Sequence, residues 1–233
     1  MTLVMVPSPN TAIWRVGYRP EPLAWSGWEH AVNGVFPGRW DDPNGRFRTM
    51  YLAESLVGCL LEVLAHARKE PYMVAALGEI EEDPEDAREF PTLEPGTVDR
   101  AWLGPRCAAN VVLYGKYCRV TATETISALY PLFIAATLKD GHDDFDASVL
   151  KSGGARTITR AVAAHLYLVP HVNGVEFNSR HGDEAKMWSV FEQPQDSPVS
   201  GQITKLGQSH LEEDTPELVR AFELLGLTWA NWP

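Results

Sequence analysis

The sequence predicts a single mixed α+β domain. Three observations lead there. A strand-like run passes directly into a capped apolar helix over residues 48–69. Two further strand-like runs, 174–179 and 186–192, are joined by a short polar loop. No Gly/Ser-rich or Pro-rich linker divides the 233 residues into halves with separate cores. With 45% hydrophobic residues the chain can bury a sizeable core.

The elements follow in order. TAIWRVG, residues 11–17, reads as a short strand. Residues 19–46 carry much of the Pro, Gly and Asn, with Trp25, Trp28, Phe36 and Trp40 spread through an irregular segment. RTMYLAE (48–54) is the next strand, and Ser55 is a suitable N-cap for SLVGCLLEVLAHARK, where Glu62 falls at the edge of a wide apolar arc. TVDRAWL (97–103) and VVLYGKYCRV (111–120) supply further strands, and helices are expected at about 123–138 and from Arg156 to His165. Near the end, Thr215 and Pro216 start a helix that Gly226 closes.

The formal charge of −11 is unevenly spread. Residues 79–99 hold nine acids and one arginine, whereas residues 1–48 hold five arginines against four acids. That balance argues against nonspecific nucleic-acid binding, which needs several phosphates neutralised together, yet leaves room for a local arginine cluster facing one phosphorylated ligand. The start of the chain lacks the pattern of a secretory signal, and no run of about 18 apolar residues exists to span a membrane. Three cysteines without C-x-x-C spacing suit a reducing compartment. A cytoplasmic protein with no membrane association is therefore expected.

Familiar motifs are missing: there is no G-x-G-x-x-G, P-loop, G-x-S-x-G or H-E-x-x-H, and the seven histidines show no metal-ligand spacing. KSGGARTIT (151–159) reads as a plain turn into a helix, with an anion nest as the alternative, and DGHDDFD (140–146) as a solvated turn. What remains is Arg39 in PGRWDDPNGR, Tyr51, Glu62 and Ser179, with Arg15 behind them. Taken singly, each has an ordinary structural explanation.

Taken together they resemble the RES domain. The order W-R-V, then G-R-W, then M-Y-L-A-E-S running into L-L-E-V-L-A-H, and finally G-V-E-F-N-S-R carries the resemblance, over roughly residues 12–192. The family is named for an arginine, a glutamate and a serine, matched here by Arg39, Glu62 and Ser179; Tyr51 matches a tyrosine of the same motif and Arg15 an arginine of the first strand. The acidic segment from about 79 to 110 looks like an insertion, and residues 193–233 look like an unmatched C-terminal extension. After Ser179 the loop SRHGDEAKMW keeps only Gly182 of the family's small residues.

The resemblance implies an ADP-ribosyltransferase-like domain with a central mixed β-sheet flanked by helices. It further implies NAD as substrate and inorganic phosphate as co-substrate. NAD+ phosphorolysis would give nicotinamide and ADP-ribose 1″-phosphate without a metal, in the setting of a toxin restrained by an Xre-like antitoxin. Glu62 would stabilise positive charge on the ribose, Arg39 and Arg15 would hold phosphate groups, Tyr51 would face the nicotinamide, and Ser179 would bond the ribose or the nucleophile. Trp40 would pack beside the ligand or cover the core. Two alternatives stay open: a mono-ADP-ribosyltransferase acting on a protein, and an inactive RES-like binding or regulatory module using the acidic segment as a partner surface.

Overall fold

The computed structural model describes residues 2–69 and 94–230. Most of the acidic segment lies outside the described residues. Eight strands form one mixed sheet, in the order β1 (Met5–Pro7), β6 (Lys116–Arg119), β7 (Gly174–Ser179), β8 (Gly182–Phe191), β3 (Thr49–Ala53), β2 (Ile13–Tyr18), β5 (Arg106–Leu113), β9 (Ile203–His210). All neighbours run antiparallel except β6 and β7. A small parallel pair, β4 (Thr97–Val98) with β10 (Thr228–Trp229), stands apart. Among the described residues five α-helices accompany the sheet: α1 (Leu56–Leu64), α2 (Thr123–Lys139), α3 (Ala147–Lys151), α4 (Arg156–Tyr167) and α5 (Pro216–Leu225). The expected α+β class, with a mixed sheet flanked by helices, is the one observed.

The sheet is curled. β5 and β6 stand five places apart in the order, yet only Tyr114 and Gly115 connect them. Two linking residues span at most about 10 Å, whereas five places across a flat sheet would be about 24 Å. The ends must therefore bend toward each other, and Gly115, with φ of 112°, makes the tight link that a side chain would strain. β2 and β3 share a single pairing, Trp14 with Ala53.

Strand alternation gives each face of this sheet its own core. Ile13, Met50, Leu52, Val111, Tyr117, Trp188 and Val190 fill one side, closed by Leu23 and Trp25 of the irregular segment. Ala53, Val175, Phe177, Met187 and Phe191 face the other, packed by Leu129, Val162, Ala163 and Leu166 of α2 and α4. α1 and α5 pack together beside β2 through Leu60, Leu64, Leu218 and Ala221.

Several boundaries differ from the sequence expectation, each for a local reason. The Ser55 cap forms as expected, its side chain accepting from the Gly58 amide, but α1 gives way after Leu64 to a 3-10 turn at Ala65–Ala67. Residues 97–103 form only the two-residue β4 before a second 3-10 turn, which the Asp99 side chain caps. Cys107, Ala108 and Ala109, at the end of the segment that looked like an insertion, are fully buried within β5. In DGHDDFD, Asp146 is a helix cap: its carboxylate accepts from the Ser148 and Val149 amides and starts α3.

Candidate active site

The local fold of residues 36–51 begins with a buried carboxylate. Asp41 is 5% exposed; it accepts the Gly38 amide at 2.5 Å, the Thr49 hydroxyl, and the Tyr51 hydroxyl at 3.3 Å. The Trp40 amide donates back to the Tyr51 oxygen at 2.9 Å. Burial raises the Asp41 carboxyl above the usual range, against the lowering effect of these hydrogen bonds and of Arg160 and Arg156. The same turn is fastened from outside by α4: Arg160 donates to the Phe36 and Gly38 carbonyls, both at 3.0 Å, and Arg156 to the Pro37 carbonyl at 3.1 Å. Asp41→Ala is expected to cost about 2 kcal/mol or more of stability, because three donors lose their acceptor. Urea denaturation checks this; a midpoint equal to the wild type would refute it. Gly38 has no room for a side chain either, since a Cβ would stand 2.5 Å from Asp41 Oδ2 and 2.6 Å from the Tyr51 hydroxyl.

This turn forms one wall of a cleft of about 350 Å³. Arg39 and Tyr51 line it from the turn and β3, Glu62 and His66 from α1 and the 3-10 turn after it, and Phe177 and Met187 from the sheet floor. Register explains the floor: Met187 pairs with both Ala53 and Phe177, so β3, β8 and β7 present one continuous face. Gly153, Arg156 and Arg180 complete the rim. The guanidinium of Arg39 lies 5.4 Å from the Phe177 ring centre, and its Nη1 is buried with no hydrogen-bond partner among the described residues. Burial lowers the Arg39 pKa; the Glu62 carboxylate and Tyr51 act in the opposite sense, and Arg180 and Arg156 lower it further. Burial, with the Asp41 charge second, keeps the Tyr51 phenol well above its usual pKa and therefore protonated.

Ser179 stands behind Glu62. It is 1% exposed, donates to Glu62 Oε1 at 2.5 Å, and accepts the His181 amide at 3.0 Å. Its hydroxyl is directed at the carboxylate and fixes the orientation of Glu62, whereas the family resemblance implies a contact with the ribose or the nucleophile. Arg15 and Trp40 also lie outside the cleft lining. Arg15 donates to the Pro22 carbonyl at 2.7 Å and the Tyr51 carbonyl at 3.2 Å, tying the irregular segment to β3, and burial pushes its pKa down to about 10. It lines a separate cavity of about 780 Å³ with Tyr18, Trp25 and Phe36. Trp40 is fully buried, its ring 5.6 Å from that of Phe177, so it supports the cleft floor from beneath.

Arg156 and Arg180 escaped the sequence reading as site residues. The only signal was the KSGGA turn before Arg156 and the position of Arg180 next to Ser179. Among the described residues no group of three or more His, Cys, Asp or Glu side chains is placed to hold a metal ion, and no helix is long and apolar enough to cross a membrane.

Fold and site together define an α+β protein with a cleft lined, among the described residues, by three arginines and one carboxylate. The RES domain profile matches residues 12–206, and the chain belongs to the RES domain family. The match runs to residue 206, past the 193 boundary expected from the sequence, and takes in the first four residues of β9. Among solved structures the chain is similar to a chain of the M. tuberculosis MbcT–MbcA toxin–antitoxin complex, with 16% identity and a TM-score of 0.48, over 95% of this chain and 92% of that one. No curated protein sequence matches it.

Proposed function

We propose that this RES protein degrades NAD+, cleaving the nicotinamide–ribose bond with inorganic phosphate as acceptor. The observation that carries this reading is the pairing of one carboxylate, Glu62, with a buried guanidinium, Arg39, whose Nη1 donor has no partner among the described residues. A carboxylate held among arginines suits a substrate that develops positive charge at its reacting carbon and is anionic at its pyrophosphate.

Nicotinamide leaves as a neutral molecule, taking the C–N bonding pair, so no general acid is required. Positive charge then builds on the ribose, and Glu62, fixed in direction by Ser179, lowers its energy. A phosphate oxygen forms the new bond to the ribose carbon. Arg39 holds phosphate oxygens through charge-assisted hydrogen bonds. Tyr51 supplies a flat face, while its hydroxyl is already engaged with Asp41 and the Trp40 amide. Arg15 and Trp40 contribute by fixing β3 and the cleft floor. Residues 1–233 act as one domain in this reading, and the setting is a cytoplasmic toxin with an Xre-like antitoxin, which follows from the RES resemblance.

Calorimetric titration of the purified protein with NAD+, followed by chromatographic assay of nicotinamide, tests the proposal. Binding with release is the expected result. Failure to bind NAD+ would overturn it, and binding without release would leave a binding module.

A further inference from the structure

We propose that Arg156 and Arg180 form a phosphate-group subsite on the cleft rim, separate from the Arg39 donor set. Only the source of the phosphate, free inorganic phosphate or the pyrophosphate of the dinucleotide, rests on the reading of the cleft as an NAD+ site.

Arg39, Arg156 and Arg180 all line the cleft, and the ion pairs found among the described residues engage other arginines, namely Arg46, Arg48, Arg100, Arg119 and Arg220. Among the described residues of the lining, Glu62 is the one carboxylate against these three guanidiniums. Like charges gathered this way repel one another, as the lowering of Arg39 by both Arg156 and Arg180 reflects. A phosphate dianion relieves that repulsion, and a guanidinium fork matches phosphate oxygens in geometry.

Among the described residues, Arg156 and Arg180 keep donors without partners. Arg160, the neighbouring arginine on α4, spends its guanidinium on the Phe36 and Gly38 carbonyls and is structural. Arg156 lines the cleft and uses Nη1 on the Pro37 carbonyl, which anchors the side chain; its other donors have no partner among the described residues. Arg180 uses Nε on His181 Nε2 at 3.2 Å, leaving both Nη groups. The His181 imidazole can accept there because burial lowers its pKa, Glu62 opposing and Arg180 adding to the effect.

Arg180 is seated against the turn that precedes α4. Its Nη1 rests against Gly153, where a Cβ would collide with it. The missing side chain lets the guanidinium approach the first turn of the twelve-residue α4, whose N-cap Ala155 provides no side-chain acceptor. The amides of that turn add to the attraction for an anion.

Calorimetric titrations with inorganic phosphate alone and with ADP-ribose alone, on wild type and Arg180→Ala, test the proposal without requiring turnover. Arg180 is exposed, so truncation is compatible with folding. The dissociation constant for at least one ligand is expected to rise about tenfold or more, as for loss of a charge-assisted contact. Arg180→Lys should restore part of the affinity. Loss confined to phosphate assigns the subsite to the acceptor, and loss confined to ADP-ribose assigns it to the pyrophosphate. Gly153→Ala, which displaces the guanidinium without removing it, should weaken the same ligand. Affinities within twofold of wild type for both ligands in Arg180→Ala and Gly153→Ala would overturn the subsite, as would absence of binding of both ligands by the wild type. Absence of nicotinamide release with these affinities intact would fell the phosphorolysis reading alone.

Discussion

Glu62→Gln is expected to lower nicotinamide release from NAD+ by about 10²-fold or more, the scale of losing one preorganised electrostatic group, with the fold intact. The substitution is nearly isosteric, and the amide oxygen can still accept from the Ser179 hydroxyl that now bonds Glu62 Oε1. What disappears is the negative charge in a cleft otherwise lined by Arg39, Arg156 and Arg180. Steady-state kinetics beside a thermal melt read the effect. A variant that melts like the wild type and turns over at the same rate would remove Glu62 from the chemistry.

Arg39→Ala is expected to raise the KM for NAD+ or for phosphate by about tenfold or more, consistent with loss of a charge-assisted hydrogen bond. The guanidinium is held over the Phe177 ring, and its buried Nη1 has no hydrogen-bond partner among the described residues, which leaves that donor for the proposed phosphate contact. The Asp41 network that shapes the turn uses the Gly38 and Trp40 amides and the hydroxyls of Thr49 and Tyr51. It does not use the Arg39 side chain, so the turn should survive the truncation. Unchanged KM values for both substrates would refute this role.

The sequence made the helical half of the fold legible where caps and periodicity coincide. Ser55 and Gly226 bound α1 and α5 as expected, with Gly226 at φ of 66°. It hid β9, because seven of the eight residues of Ile203–His210 are exposed on an edge strand and show no apolar alternation; pairing with β5 alone defines it. The short strand Met5–Pro7 is likewise defined by its partner β6.

The site was legible to the extent that its residues lie in a recognisable order. Arg39, Tyr51 and Glu62 come from one turn–strand–helix stretch and meet in one cleft. Hydroxyl direction was not legible: whether Ser179 points at a ligand or at Glu62 depends on where the end of β7 lies relative to α1. Nor was the role of Arg15, whose two carbonyl partners are brought together by the irregular segment folding over β2 and β3. Arg156 and Arg180 are 24 positions apart and reach the same rim only because α4 and the β7–β8 turn meet there.

The most direct measurement is the rate of nicotinamide release from NAD+ by the wild-type protein as inorganic phosphate is raised from zero. Phosphorolysis requires a rate that climbs with phosphate and yields ADP-ribose 1″-phosphate in equal amount to nicotinamide. A rate indifferent to phosphate, with free ADP-ribose or a labelled macromolecule as the product, would contradict it, as would no release at any phosphate concentration.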